Sequence, residues 1–181
     1  MDIQQTEETN LIRHIFNWIV DIAVVISLAW FCVYAFGTQI HISGHSMTPV
    51  LESEETVLVN RLAYDLTGPG RFDIVTFERE DKKTNVKRVI GLPGETVQIR
   101  DGFVYINKQK LEADDGLDQA ALPGLAETEI TLGKREYFLL GDNRESSEDS
   151  RFENIGNVSR AQITGRVWFR IAPLSGLGFI K

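Results

Sequence analysis

A serine lies among small and flexible residues in the segment 43–49 (SGHSMTP). In such a segment, the Ser46 hydroxyl can act as a nucleophile, and adjacent backbone N–H groups can stabilise the oxyanion of an acyl transfer. A turn that links two elements is the alternative interpretation, because glycine and proline are typical of turns. A serine nucleophile needs a base, so the choice depends on whether the chain offers one.

The three histidines fit the role of that base poorly. His14 precedes a long apolar segment, and His45 adjoins Ser46, so that it points to the opposite face of an extended chain. His41 could be recruited, but it has no obvious partner of its own in the sequence. The composition therefore does not favour a Ser/His/Asp triad.

A lysine can replace histidine when burial removes its charge, because desolvation lowers the pKa of a buried lysine by up to about 3–5 units. In the strand predicted for residues 85–91, alternation places Lys87 on one face with Val89. The same alternation places Arg88 on the other face with Ile90. One cation must then lie beside buried surface. The alternative is that both side chains extend to water, as most lysines do.

A polar segment with alternating charges covers residues 141–151 (GDNRESSEDSR). It is either a solvated loop or a platform, braced by aspartate and arginine, that directs a serine hydroxyl at a neighbour. Its acidic residues do not follow the ligand order of an EF-hand, and no metal site is predicted. The solvated loop is the simpler interpretation.

The elements that position these residues begin with a long apolar segment. Residues 22–40 contain no charged side chain, and residues 15–20 extend the segment upstream, with Asn17 and Asp21 as interruptions. A helix of ~20 apolar residues spans a hydrocarbon core of about 30 Å. A cleaved signal, for which residues 35–37 offer a cleavage pattern, and a buried soluble helix are the alternatives. The acidic start and the length favour an uncleaved membrane anchor.

The orientation of this anchor depends on one charge. Arg13 is the only lysine or arginine before the span, and the next is Arg61, so the positive-inside rule places the N-terminus in the cytoplasm. We therefore predict a cytoplasmic segment (1–14), a transmembrane anchor (15–37) and an extracytoplasmic β-rich domain (38–181).

The remainder of the chain consists of short β-type runs separated by turn signals. Asp101-Gly102, for example, predicts a tight hairpin. Residues 111–135 are expected to form a loop or hairpin. The predicted fold class is mostly β, with one N-terminal transmembrane helix and an antiparallel domain. The predicted strands cover residues 56–60, 73–77, 85–91, 96–100, 103–106, 137–140 and 163–171.

Composition excludes several classes of function. The chain of 181 residues has 19 basic and 26 acidic side chains and a formal charge of −7, which argues against nucleic acid as a partner. One cysteine excludes an internal disulfide and a cysteine-rich zinc site. No GxxxxGK phosphate loop is present, and no cofactor is predicted.

Four motifs, in this order behind a single anchor, resemble those of the type I signal peptidases, membrane serine proteases with a Ser/Lys dyad. The similarity covers nearly the whole chain, to about residue 169, and is closest to the compact form common in Gram-positive bacteria. The motifs are residues 44–51, similar to the nucleophile box SM-x-P-T-L; 71–75, similar to R-G-D-I-V; 86–95, similar to K-R-(V/I)-I-G-L-P-G-(D/E); and 141–144 with 149–151, similar to the last box.

The resemblance implies a role for each matching residue. Ser46 would be the nucleophile, with its backbone N–H in the oxyanion hole, and Lys87 would be the general base. Ser147 would orient the lysine amine, and an ion pair of Asp149 and Arg151 would brace the platform. Asp142 and Arg144 would support it.

The implied substrate site departs from the family pattern at one position that matters for catalysis. Some members supply a second oxyanion donor from a serine at the position of Gly44, and glycine cannot do this. Phe72 and Val50 also replace the usual glycine and threonine. The substrate-binding positions would be Ile42, Gly44, Met47 and Asn85.

The implied function is removal of signal peptides from exported preproteins, after small residues of the Ala-x-Ala kind. The preprotein would lie along the site as an added strand. Other expected partners are the lipid bilayer and the secretion translocon. Two alternatives are a related Ser/Lys self-cleaving protease, which shares the catalytic fold but needs an upstream DNA-binding motif, and a membrane-tethered β-domain that binds peptides without cutting them.

Overall fold

In a computed structural model of the chain, which describes residues 2–65, 67–112 and 119–180, one long helix precedes an antiparallel β domain. The predicted fold class is therefore confirmed. The helix is α1 (Asp2–Phe36), and two short 3-10 helices cover Gly124–Glu127 and Leu174–Gly176. The strands are β1 (Thr38–His41), β2 (Thr56–Asn60), β3 (Ile74–Glu78), β4 (Thr84–Gly91), β5 (Thr96–Arg100), β6 (Phe103–Ile106), β7 (Gln109–Lys110), β8 (Ile130–Thr131), β9 (Glu136–Leu140), β10 (Val158–Ser159), β11 (Ile163–Ala172) and β12 (Gly178–Phe179).

The helix α1 contains one segment, Arg13–Phe36, that is long and apolar enough to cross a membrane. It comprises 24 residues with a mean hydropathy of 2.3. The side chains of residues 13–34 are all exposed, which argues against a helix buried in the core of this domain. The helix also continues upstream of residue 15, where the anchor was predicted to begin, as far as Asp2.

The strands form two antiparallel sheets. The larger sheet has the order β1-β2-β11-β3-β4-β9-β10, with β12 added to β11, and the smaller has the order β7-β6-β5-β8. The long strand β11 pairs with β2 and β3, so it connects the segment that follows α1 to the β3–β4 hairpin. This arrangement brings the loop after β1 and the strand β4 into one region of the molecule.

Three buried apolar clusters hold the domain together. One lies beneath the loop after β1, one lies on the β3–β4–β9 face of the larger sheet, and one joins the smaller sheet to β4 and β9. The first is the most relevant to function because it anchors both sides of the candidate site. It consists of Ile42, Met47, Leu51, Val57, Val59, Ile74 and Val167.

The segment predicted as a loop or hairpin, 111–135, contains more structure than expected where it is described. The 3-10 helix Gly124–Glu127 is followed by β8, which pairs with β5. Leu125 N donates a hydrogen bond of 2.8 Å to Arg151 O, so the segment packs against the polar loop that follows β9. Residues 113–118 lie outside the described residues.

Candidate active site

Ser46 and Lys87 meet between the loop after β1 and the strand β4. Lys87 Nζ donates a hydrogen bond of 2.7 Å to Ser46 Oγ. Ser46 is half-buried, and the Lys87 side chain projects from a strand that pairs with β3 and β9. A hydroxyl and an amine at this distance have the geometry for direct proton transfer.

The surroundings of Lys87 shift its protonation equilibrium toward the uncharged amine. Its side chain is only 4% exposed, and burial lowers its pKa from 10.5 to about 8. The charges of Asp149 and Glu148 oppose this decrease of the pKa, and the charge of Arg79 adds to it. At this pKa about one lysine in ten is neutral at pH 7, whereas an ordinary lysine is almost entirely protonated.

Arg88, the next residue on β4, is buried as well, so the interpretation in which both cations extend to water is wrong. Its Nε and Nη2 atoms each lie 2.7 Å from a carboxylate oxygen of Asp142, and Nη1 donates to Phe72 O at 2.9 Å. This bidentate pair ties β4 to the loop after β9. Sequence reasoning assigned no role to Arg88, although its apolar neighbour Ile90 already indicated a buried cation, which requires an anion.

The polar segment 141–151 is a buried platform and not a solvated loop. Asp149 and Arg151 are almost fully buried and form two contacts, Nε–Oδ1 at 2.8 Å and Nη2–Oδ2 at 3.0 Å. Arg151 Nη2 also donates to Arg144 O at 2.7 Å, and Arg144 Nε donates to Gly141 O at 2.9 Å. The platform is therefore held by its own aspartate and arginine side chains, which satisfy its backbone carbonyls.

Gly141 is the point at which this platform touches the Ser46 loop. A Cβ at this position would lie 2.4 Å from Ser46 O and 2.1 Å from Ser147 Oγ, so only glycine permits the approach. Asn143 N donates to Ser46 O at 3.2 Å and adds a second link. The structure thus brings Ser147 to the site, but its buried hydroxyl has no hydrogen-bond partner among the described residues. Its role in orienting Lys87 stays a prediction.

The loop that carries Ser46 is anchored by the residues on either side of it. Ile42 and Met47 are buried in the apolar cluster beneath the loop, and Leu51 N donates to Met47 O at 2.8 Å. Gly44 has a φ of +90° and open space where a side chain would be, and its N–H donates to Ser53 Oγ at 3.3 Å. The predicted substrate-binding residues are thus distributed between the floor of the loop and its surface.

A small groove runs past Ser46 and Lys87 between two extended segments. Its volume is about 70 Å³, which suits a small side chain. One wall is the end of β1 with the residues that follow, and the other is the first half of β4. The lining residues are Ile40, His41, Ile42, Ser43, Ser46, Met47, Thr84, Asn85, Val86 and Lys87.

His41, the one histidine left open by the sequence, makes its hydrogen bonds with residues other than Ser46. Its Nε2 atom lies 3.2 Å from Glu54 Oε2, and its Nδ1 atom lies 3.4 Å from Thr56 Oγ1, both at the exposed surface. The hydrogen bond of the Ser46 hydroxyl is made with Lys87 instead.

Comparison with known proteins gives a consistent result along most of the chain. The model of the family described as signal peptidase, peptidase S26, matches residues 15–172. A signal peptidase I of Bacillus caldolyticus is 38% identical over 173 residues, which cover 90% of this chain and 92% of that protein. A signal peptidase IB of Staphylococcus aureus (strain COL) is 33% identical over 178 residues, with coverages of 90% and 92%. A crystal structure of a signal peptidase I from Enterococcus faecalis is 34% identical and covers 54% of this chain and 95% of that chain, with a TM-score of 0.45.

Proposed function

The chain belongs to the signal peptidase family, peptidase S26, and on this premise we propose that it removes signal peptides by a Ser/Lys mechanism while anchored in a membrane. Membership of the family makes it a protease that acts on preproteins carrying signal peptides. The observation that supports the mechanism is the 2.7 Å hydrogen bond between Lys87 Nζ and Ser46 Oγ, made by a lysine whose pKa burial lowers to about 8, so that part of it is neutral near physiological pH.

In the proposed reaction, neutral Lys87 accepts the hydroxyl proton of Ser46 as Oγ attacks the scissile carbonyl carbon. The Ser46 backbone N–H stabilises the oxyanion of the tetrahedral intermediate. Lys87 then returns the proton to the departing amine, which leaves an acyl-enzyme on Ser46. In the second half, Lys87 accepts a proton from water as the hydroxide attacks the acyl carbon. The bond to Ser46 Oγ then breaks, Lys87 returns the proton to Oγ, and the signal peptide leaves with a new C-terminal carboxylate.

The platform after β9 holds Lys87 in place for both halves of this reaction. The pair Arg88–Asp142 fixes the platform against β4, the pair Asp149–Arg151 braces it from within, and Gly141 lets it contact the Ser46 loop. Ser147 reaches the site from this platform, and we propose that its hydroxyl orients the lysine amine when substrate is bound.

The groove indicates how a preprotein would bind. Its walls include the end of β1 and the first half of β4, both of which are extended, so a peptide can enter as an added strand and place alternate side chains in the groove. A volume of about 70 Å³ favours alanine-sized residues over larger ones. We propose that Ile42, Met47 and Asn85 line this specificity pocket, with Gly44 on the substrate side of the loop.

Several features support a membrane anchor at residues 15–37, with the catalytic domain (38–181) outside and residues 1–14 in the cytoplasm. The end of α1 is docked on the β domain, because Arg61 N donates to Ala35 O at 3.1 Å and the Arg61 guanidinium lies 5.4 Å from the Tyr34 ring centroid. Ser46 follows the end of the anchor after only a few residues, so this docking keeps the site close to the end of α1. A cleavage point just outside the bilayer suits this position.

Exposed apolar side chains lie on the same side of the domain as the end of α1. Phe36, Trp168 and Phe179 line one cavity, and Leu174 and Phe179 are 84% and 75% exposed. Isolated exposed side chains are ordinary, but a group of this kind next to a membrane span suits contact with lipid. We propose the bilayer as a partner of the catalytic domain, and the translocon as the source of its preproteins.

The decisive experiment measures cleavage of a preprotein by the full chain in detergent. We expect Ser46→Ala and Lys87→Ala each to lower the rate by at least about 10³-fold, because residues that act as one catalytic unit lose most of the rate together. Ser175→Ala and Lys83→Ala are matched controls, since both side chains are exposed and neither lines the groove. Near-normal activity of either dyad variant would exclude the mechanism, and peptide binding without cleavage by the wild-type chain would favour a non-catalytic binding domain.

A further inference from the structure

An ion pair at the edge of the site joins the β3–β4 hairpin to the platform after β9. Arg79 Nη1 lies 2.9 Å from Glu148 Oε2. The backbone of Arg79 belongs to the hairpin, because Arg79 N donates a hydrogen bond of 3.0 Å to Lys83 O. Glu148 stands between Ser147 and Asp149, both of which are buried in the platform. The pair therefore connects the hairpin that carries Lys87 to the loop that packs over it.

Strand register places Arg79 on the same face of the hairpin as Lys87. Val75 pairs with Lys87 and Phe77 pairs with Asn85. Arg79, one residue beyond β3, continues this pairing through its hydrogen bond to Lys83 O, so alternation directs it to the Lys87 face. The Arg79 side chain is 21% exposed, whereas that of Glu148 is 59% exposed. The arginine thus reaches from the Lys87 face of the hairpin out to a carboxylate at the surface.

The acidic groups that face Lys87 share one property: each is paired with an arginine. The charged groups around the amine are Asp149, Glu148 and Asp142 from the platform and Arg79 from the end of β3. Asp149 is held by Arg151 at 2.8 Å, Asp142 by Arg88 at 2.7 Å, and Glu148 by Arg79 at 2.9 Å. Of these three pairs, Arg79–Glu148 is the exposed one and thus the most easily opened.

We propose that Arg79 is a positioning residue for catalysis: by holding Glu148, it prevents this carboxylate from becoming the counter-ion of Lys87. The inference rests on the proposed role of Lys87 as the base. An ammonium with its own carboxylate partner keeps its proton and cannot accept one from Ser46. The directions of the electrostatic effects agree with this role, because the charge of Glu148 raises the pKa of Lys87 and the charge of Arg79 lowers it.

The test is the pH dependence of kcat/KM for the full chain in detergent, with a preprotein as substrate. In Arg79→Gln the acid limb should move to higher pH by about half a unit, which lowers the rate at pH 7 about threefold. In Glu148→Gln it should move to lower pH. In the double variant the two shifts should largely cancel. Because the pair is exposed, both single shifts should shrink in about 1 M salt.

Two controls separate this role from a structural one. Lys82→Gln removes the same charge from the exposed turn of the hairpin and should leave the acid limb in place. Arg79→Lys should recover most of the wild-type profile. If Arg79→Gln proves too unstable to assay, the variant that combines Arg79→Gln with Glu148→Gln still tests the proposal. It lacks the unpaired carboxylate and should therefore be an active enzyme.

An unmoved acid limb in a folded Arg79→Gln variant would overturn the proposal, as would an equal shift in Lys82→Gln. Neither result would affect the dyad, which fails only if the wild-type profile has no acid limb or if Lys87→Ala stays active. The two failures are therefore distinguishable in one set of profiles.

Discussion

Lys87 and Arg88 are adjacent buried cations on β4, yet their partners differ in kind. Arg88 makes a bidentate contact at 2.7 Å with the Asp142 carboxylate, whereas Lys87 Nζ lies 2.7 Å from the neutral hydroxyl of Ser46. A carboxylate partner favours the charged form of a buried cation, whereas a hydroxyl partner leaves burial to lower the pKa of Lys87 to about 8. The structure thus separates a structural cation from a candidate base at neighbouring positions.

The pH dependence of activity should follow the protonation of Lys87. Burial lowers its pKa to about 8, so kcat/KM should rise through pH 8 and fall about tenfold for each unit below it. Initial rates of preprotein cleavage between about pH 5.5 and 9.5 measure this, with the stability of the enzyme checked at each pH. A rate that stays flat into the mildly acidic range would show that no lysine base limits the reaction.

The same shift in pKa predicts that Lys87 costs stability at neutral pH. The folded chain releases the Lys87 proton near pH 8 and the unfolded chain near 10.5, so stability rises with pH between these values. Below pH 8 the full penalty applies, roughly 3 kcal/mol from the difference of the two pKa values. Lys87→Met should therefore raise the free energy of unfolding at pH 7, and this gain should decrease toward pH 10.5.

Denaturant unfolding of the full chain in detergent at pH 7 and pH 10 tests this stability difference. Lys83→Met is the matched control, because Lys83 is 77% exposed and its removal should give no pH-dependent gain. An equal gain at both pH values would mean that Lys87→Met stabilises through apolar packing and not through the lost charge.

Breaking the Arg88–Asp142 ion pair should strongly destabilise the folded chain. Asp142→Asn keeps the shape of the side chain but leaves Arg88 as a buried, unpaired cation, so the free energy of unfolding should fall by about 3 to 5 kcal/mol. Glu129→Gln disrupts the exposed contact with Lys108 at 3.9 Å and should cost less than about 1 kcal/mol. Similar losses in the two variants would contradict a structural role for the buried pair.

Gly141→Ala should impair catalysis by displacing the platform from the Ser46 loop. The added methyl group would meet Ser46 O and Ser147 Oγ well inside contact distance, and a displacement of about 1 Å at an active site costs on the order of 10²-fold in rate. Gly178→Ala is the control, because a Cβ there meets nothing within 4 Å. The single-turnover rate of preprotein cleavage distinguishes the two, and unchanged catalysis in Gly141→Ala would show that the close approach is not required.

Local patterns in the sequence predicted the longer elements well. Strands β2, β5 and β6 have the predicted bounds, β4, β9 and β11 differ by one residue at one end, and β3 is shifted by one residue at both ends. This succeeds because alternation of apolar residues and turn signals such as Asp101-Gly102 act over a few neighbouring positions. Among the strands that were missed, β10 and β12 have two residues each and exist because a longer strand lies beside them, whereas β1 has four residues.

The chemistry-bearing residues could also be selected from the sequence, since Ser46, Lys87 and the platform stand in recognisable motifs. The partners of the charged groups could not be predicted from the sequence. Both cations of β4 proved to be buried, and Arg88–Asp142 and Arg79–Glu148 join residues 54 and 69 positions apart.

Whether a cation is charged depends on which groups surround it and how much water reaches it. Those surroundings are created when β4 pairs with β9 and the loop after β9 folds over Lys87. A local sequence pattern predicts neither the register of two strands nor the path of a loop. The sequence by itself therefore determined which residues are available for a Ser/Lys mechanism. Only the tertiary structure decided that one buried cation has a carboxylate partner and the other has a hydroxyl.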